Sequence, residues 1–383
     1  MIETQDRKAK RYFEALPPID NPREDVGSVV ITHFLPGKRQ FVDAINRIAP
    51  VQALMPKPSS IDHQTFQTLS TDYPVLTTAR THATDRLTRV IQDTSDEMKL
   101  VVVDIGGYFA DVLDQERDLV QERVAAVIED TINGEKKYER LDKPFPVPVA
   151  SVARSPLKLP EDHNVGKAIV FSVDSLARDF DEILHGKRCL VIGYGPVGRG
   201  IADNLRARDA YVRVYDHDAT ARVRAEADGF RVRTSKKRID DFDFVFCATG
   251  GGSLGKDDFP RLKEGCFVAT GTSSDEEFEP DALVDFSPVQ IHPHVWQYQN
   301  ADGHSIRLVN NGRSANFIHN AVVGEFIYLV QGEILRLIPH MLDNDLPRDQ
   351  IITLPDDKRS QIAEKWEHEW NTSGSIREQI AKM

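Results

Sequence analysis

An α/β fold in two domains is predicted by three features of this 383-residue sequence. They are short β-branched runs flanked by helical patterns, a glycine-rich turn joining an apolar run to a helical pattern, and later apolar runs spaced for crossover helices. The expected architecture is a Rossmann dinucleotide-binding domain plus a second α/β domain that binds substrate.

Val29 to Ile31 and Val101 to Val103 read as buried parallel strands, the second running into Asp104-Ile105-Gly106-Gly107. Helical patterns lie at Arg39 to Ile48 and at Asp118 to Ile132, where Leu119, Val124, Val127 and Ile128 share one face. The stretch Lys143-Pro144-Phe145-Pro146-Val147-Pro148 resists regular structure, because proline lacks the amide donor and fixes φ, and is expected to lead toward a domain boundary. A helix is expected from Val173 to Leu184, then a strand from Arg188 to Ile192 that enters Gly193-Tyr194-Gly195-Pro196-Val197-Gly198-Arg199-Gly200. Tyr211 to Tyr215, Phe244 to Cys247 and Gly265 to Ala269 complete a right-handed parallel sheet. The last apolar helix is expected from Ala321 to Ile338; beyond it Asp343 to Met383 is polar, with Trp366 and Trp370 on one helical face. These elements give a substrate-binding domain over 1–166, a Rossmann domain over 167–316, a helix returning to the substrate domain over 317–350 and a C-terminal tail over 351–383.

With 40% hydrophobic and 28% charged residues, each domain can bury a core, which excludes general disorder and a minimal disulfide scaffold. No run approaches the roughly 20 apolar residues of a membrane helix, and the charged start of the chain lacks the apolar stretch of a signal peptide, so a cytoplasmic protein without a membrane partner is expected. Cys189, Cys247 and Cys266 form no CxxC pair and read as buried thiols, with no metal site. A net charge of −12 repels phosphate backbones, so nucleic acid is not an expected partner.

The glycine turn has the context that dinucleotide binding requires: an apolar strand before it, a helix after it, and Asp216 closing the next strand. Gly193 allows the tight turn, Gly195 lets the backbone approach a pyrophosphate, and Gly198 permits close helix packing. The helix start, from Val197, offers oriented amides. Asp216 would accept from ribose hydroxyls and repel a 2′-phosphate, which favours NAD over NADP. Thr249 and Gly250, after the strand ending at Cys247, are small residues where a nicotinamide would approach the backbone.

From about Val29 to Leu337 the sequence resembles the S-adenosylhomocysteine hydrolase family. The glycine turn is similar to that family's GYGDVGKG, Asp104-Ile105-Gly106-Gly107 to DDGGD, Glu129-Asp130-Thr131 to EETTTG, and Arg307-Leu308-Val309-Asn310 to RLVN. Val147-Pro148 through Lys158-Leu159-Pro160-Glu161-Asp162-His163 lies without gaps on VP…KSKFDN. The resemblance implies a small-molecule enzyme in which held NAD⁺ oxidises a ribose hydroxyl to a ketone. The ketone acidifies the neighbouring carbon for elimination, and the hydride then returns. It implies Lys158 and Asp162 as the pair handling the hydroxyl proton, and His33 as a proton shuttle near the leaving group. It further implies Asp104, Asp130, His163 and, allowing a shift of one or two residues, His319 as substrate contacts, with Thr272 and Asn310 beside the cofactor. A homo-oligomer, dimer or tetramer, also follows from the resemblance.

The sequence departs from the family in the substrate pocket: Leu35, Gly37 and Ile105 replace polar residues, and the C-terminal lysine and tyrosine that reach a neighbour's NAD are absent from Arg377-Glu378-Gln379-Ile380-Ala381-Lys382-Met383. Lost hydrogen-bonding groups discriminate strongly against the old ligand, so the expected substrate is a nucleoside- or sugar-like molecule other than S-adenosylhomocysteine. Competing readings are an ordinary NAD-dependent dehydrogenase and a non-catalytic NAD-binding regulator.

Overall fold

The computed structural model describes residues 5–16, 25–272 and 277–370. The chain divides into two compact units, Met1–Lys158 with Glu325–Met383, and Leu159–Gly324. The junctions therefore lie at 158/159 and 324/325, where the sequence suggested 166/167 and 316/317. Glycine packing explains the first: helix Leu159–Arg178 lies so close to helix Pro196–Arg206 that a β-carbon on Gly166 would strike the backbone of Gly200 and Ile201. The helix is thus built into the second unit from its first turn. It includes the front of the helix expected at Val173 to Leu184, which ends at Arg178.

The first unit holds five main strands, β1 (Val26–Phe34), β2 (Val51–Ile61), β3 (Lys99–Asp104), β4 (Val124–Glu129) and β5 (Val149–Ser151), with the short strand Ile351–Ile352 at one edge. All pairings are parallel, in the order β2-β1-β3-β4-β5 followed by Ile351–Ile352. This is the flavodoxin-like order, which reverses between β1 and β3. Side chains alternate across the sheet: Val30, Leu54 and Val101 pack with helices Lys38–Ile48 and Ile327–Asp343, and Val29, Ala53 and Val102 with helices Ala83–Asp93 and Ala110–Gln115. Both faces are covered, as a parallel sheet requires.

The helix expected over Asp118 to Ile132 is corrected. A helix spans only Arg117–Arg123, and residues 124–129 form β4, fully within the sheet. Val124, Val127 and Ile128 fit a helical face by spacing, but they are β-branched and buried on both sides of a central strand. The proline-rich passage leads into β5, which lies in the same unit shortly before the junction at 158/159. The last apolar helix begins at Ile327, because Asn320, Ala321 and Gly324 take positive φ and interrupt the expected start. Within 351–383, helix Asp356–Trp370 packs Trp366 on Trp370 and belongs to the first unit; residues 371–383, including the C-terminal departure from the family, lie outside the described residues.

The second unit contains β6 (Arg188–Ile192), β7 (Tyr211–Tyr215), β8 (Arg231–Arg233), β9 (Phe244–Cys247), β10 (Phe267–Thr270), β11 (Phe286–His292), β12 (Val295–Asn300) and β13 (Ser305–Val309). The order β8-β7-β6-β9-β10-β13 is parallel throughout and is that of a Rossmann sheet, with antiparallel β12 and β11 added at the edge. Cys189, Cys247 and Cys266 are buried free thiols, and burial pushes all three well above the ordinary thiol range. Among the described residues no helix is long and apolar enough to cross a membrane.

Candidate functional site

In the second unit the strand order reverses between β6 and β9, and the glycine turn and the Thr249–Gly250 loop follow these two strands. The three glycines have three different reasons. Gly193 takes φ +96° and passes against Ala248 and Thr249 after β9, so both conformation and space demand glycine. Gly198, in the first turn of helix Pro196–Arg206, lies so near the Gly193 carbonyl that a β-carbon would overlap it. Gly195 is different: its backbone is extended, at φ −72° and ψ −173°, and a β-carbon there would meet nothing within 4 Å. Neither strain nor the protein's own packing calls for glycine at that point, which is where the second glycine of a dinucleotide turn lets the backbone approach a pyrophosphate. Pro196 opens the helix where its missing amide costs nothing, and Val197 follows in the first turn.

Asp216, at the end of β7, accepts from the Tyr194 amide at 2.7 Å and from the Asp218 amide at 2.9 Å, which fixes its carboxylate beside the glycine turn. The Thr249–Gly250 loop is held by a residue that sequence reasoning missed. Glu277 accepts from the amides of Thr249 and Gly250, each at 2.9 Å, and from the hydroxyls of Thr249 and Thr272. The polar groups of Thr249 and Thr272 thus shape the loop. Asn310, after β13, donates its side-chain amide to Ser314 O at 3.0 Å. His319 bonds Ser172 at 2.9 Å on helix Leu159–Arg178, in whose first turn Asp162 stands. His163 follows Asp162, its backbone against Gly200, and burial followed by Lys167 lowers its pKa.

In the first unit His33, Asp104, Asp130 and Lys158 all lie at or just beyond the carboxyl ends of parallel strands. Lys158 Nζ stands 2.9 Å from Asp130 Oδ1. The segment before it is anchored by a buried chain in which Ser155 Oγ donates to Glu333, and Arg359 Nε donates to the other Glu333 oxygen at 3.0 Å. His33 Nδ1 is hydrogen-bonded to Ser60 Oγ, and burial together with Lys57, Lys38 and Lys158 holds its pKa well below the usual imidazole value.

Asp104 does not have the substrate-contacting environment that the resemblance implies. It is fully buried and accepts from the amides of Ile105, Tyr108 and Phe109 and from Tyr138 Oη at 2.6 Å. Its acceptors are spent on folding the loop after β3. Glu129 completes that loop, accepting from Gly106 at 2.8 Å, Gly107 at 3.0 Å, and both the amide and hydroxyl of Thr131 at 2.7 Å. Each unit therefore ties a glycine loop with one buried glutamate.

Burial, then the charge of Asp104, pushes Glu129 up to about 8, and burial raises Asp104 as well. The folded value exceeds the unfolded 4.5, so between those pH values the native state binds more protons than the unfolded chain. The stabilisation is present below the unfolded value and is lost as pH rises through the folded one. Urea unfolding of wild type and Glu129→Gln should accordingly give a stability difference in favour of wild type that shrinks from about pH 5 to about pH 8. A difference constant across that range would contradict the raised value.

The S-adenosyl-L-homocysteine hydrolase NAD-binding domain family matches residues 168–322. Adenosylhomocysteinase from Thermotoga maritima is 27% identical over 294 residues, covering 74% of this chain and 72% of that protein. Among solved structures, a dipicolinate synthase from Bacillus subtilis aligns at 11% identity with a TM-score of 0.45, over 85% of this chain and 100% of that one. A dipicolinate synthase from Bacillus halodurans aligns at 12% identity with a TM-score of 0.44, over 83% and 98%. The Rossmann unit, with its glycine turn and Asp216, is an NAD-binding domain. The second unit thus matches the NAD-binding domain of S-adenosyl-L-homocysteine hydrolase, and the chain is a divergent relative of adenosylhomocysteinase.

Proposed function

We propose that the protein is an NAD-dependent enzyme that transiently oxidises a hydroxyl of a sugar- or nucleoside-like substrate, so that elimination, dehydration or epimerisation follows at the neighbouring carbon. The observation that carries this reading is Lys158, anchored through Ser155 and Glu333 and paired at 2.9 Å with Asp130. Bound NAD⁺ would supply the hydride acceptor. Gly193, Gly195, Gly198 and the first helical turn would hold its pyrophosphate, and Asp216 its adenosine ribose. Lys158 would relay the hydroxyl proton, its ammonium passing one proton to the Asp130 carboxylate as its nitrogen receives the one from the hydroxyl. His33, kept neutral at pH 7 by burial and neighbouring ammonium groups, accepts and returns a proton at the leaving group. Asp162 is, on the family's pattern, the second residue that handles the hydroxyl proton.

The substrate is not S-adenosylhomocysteine on this reading. Gly37 replaces a polar family residue and takes φ +80° at the start of helix Lys38–Ile48, and Ile105 is packed in the core. A coupled homocysteine assay should detect no turnover, and a rate of roughly 1 per second or faster would overturn this part of the proposal. Absorbance and mass spectrometry of the denatured protein should reveal co-purifying NAD. Calorimetric titration of the NAD-free protein should show NAD⁺ binding more tightly than NADP⁺, because the fixed Asp216 carboxylate meets a 2′-phosphate with like charge. Equal affinities would remove Asp216 from the site. The family relation also supports a homo-oligomer, which sedimentation would measure as a dimer or tetramer.

A further inference from the structure

In the second unit the loops after β9 and β10 meet at one buried carboxylate. Glu277 is 1% exposed and accepts from the amides of Thr249 and Gly250, each at 2.9 Å, and from the hydroxyl of Thr272. Its own carbonyl accepts from the amide and the hydroxyl of Ser253, each at 2.8 Å. One residue thus ties both ends of the 249–253 loop and joins that loop to the end of β10. Gly250 takes φ +76°, a left-handed turn that glycine alone adopts freely.

This clamp stands beside the glycine turn. The Thr249 amide nitrogen, one of the donors to Glu277, lies 3.0 Å from the position a β-carbon of Gly193 would occupy. The negative charge also reaches the end of β9, where it adds to burial in pushing up the Cys247 thiol. A dinucleotide lies across a Rossmann sheet where the strand order reverses, with its adenosine ribose at the acid of the second strand. That acid is Asp216 on β7, so the other half of the cofactor falls on the far side of β6, over the ends of β9 and β10. The oxidised nicotinamide ring is a cation, and a carboxylate beneath its seat attracts it.

We infer that Glu277 is the positioning residue for the nicotinamide end of the cofactor: by holding the Thr249–Gly250 loop and Thr272 together it builds the seat of the nicotinamide half, and it leaves the adenosine half to the glycine turn and Asp216. The inference rests on reading those two loops as the nicotinamide side of the NAD site.

The test compares NAD⁺ with ADP-ribose, which keeps the adenosine, pyrophosphate and second ribose and lacks the nicotinamide. Both are titrated calorimetrically into the full-length protein freed of nucleotide. Wild type should bind NAD⁺ about tenfold or more tightly than ADP-ribose, the scale of one charge-assisted contact. Glu277→Gln removes the charge and turns an amide donor toward one of the two loop amides, so NAD⁺ should fall to within about threefold of ADP-ribose, whose own affinity should stay within about threefold of wild type. A purely structural part in the fold would weaken both ligands together and leave their ratio where it was. Should Glu277→Gln fail to fold, Thr272→Val, which removes one donor of the clamp, must lower the same ratio by about threefold or more. Wild type holding ADP-ribose as tightly as NAD⁺ overturns the inference. So does a wild-type ratio in Glu277→Gln, or in Thr272→Val where the first variant does not fold. No substrate enters these titrations, so their failure leaves transient oxidation standing, and NAD⁺ reduction at the wild-type rate in Lys158→Ala sinks that reading without touching the ratio.

Discussion

Lys158→Ala is expected to slow reduction of bound NAD⁺ by about 10²–10⁴ while leaving cofactor binding and the fold unchanged, the scale of loss for a removed general base. An alcohol cannot give up hydride from carbon without losing its hydroxyl proton, and the alanine variant leaves that proton without an acceptor. The fold should survive because the segment is anchored elsewhere, by Ser155 on Glu333 and Glu333 on Arg359. Asp130 loses its ion pair but lies at a half-buried strand end where water can solvate it. The measurement is NADH absorbance after addition of the metabolite that co-purifies, with far-UV circular dichroism and NAD content as controls. Glu333→Gln separates anchoring from chemistry, since it weakens the support of the Lys158 segment without removing the amine and should give a smaller loss. Wild-type rates in the alanine variant would mean that the family's lysine has no chemical part here.

The sheet was legible in the sequence wherever one signal dominated. Val29 to Ile31, Val101 to Val103 and Arg188 to Ile192 are β-branched or apolar runs ending in turn residues, and all three are parallel strands. The glycine turn was legible because strand, turn, helix and acid stood in the required order. Val124 to Ile128 misled because a fully buried strand shows no alternation, and its apolar spacing coincided with a helical face. β2 escaped notice because Pro56 and Pro58 interrupt an otherwise apolar run, and those prolines sit at its bulge. Glu129 and Glu277 were illegible as loop clamps for a different reason. Each closes a loop on another strand, Glu277 from 28 residues beyond Thr249, and no local pattern marks such a partner.

Two single-methyl substitutions in the glycine turn should have opposite consequences. Gly198→Ala places a β-carbon onto the Gly193 carbonyl oxygen, which belongs to backbone that cannot rotate away. Gly193 is itself fixed by its positive φ, its contact with Ala248 and the hydrogen bond that its amide donates to Tyr215 O at 2.8 Å. The helix must therefore shift off the sheet, and the second unit should lose about 3 kcal/mol or more, the upper range for overpacking. Gly195→Ala places its methyl where the protein has no atom within 4 Å, in an extended conformation that alanine adopts freely. Its unfolding temperature should match wild type or rise slightly, because alanine restricts the unfolded chain. NAD⁺ binding should nevertheless fall by about 10–100-fold, the equivalent of one lost charge-assisted hydrogen bond, as the methyl holds the pyrophosphate away from the backbone. Thermal unfolding and calorimetric titration on both variants decide the matter. If Gly195→Ala binds NAD⁺ as tightly as wild type, the open space above that residue is not where the dinucleotide lies. If Gly198→Ala is as stable as wild type, helix and turn are not as closely joined as the structure has them.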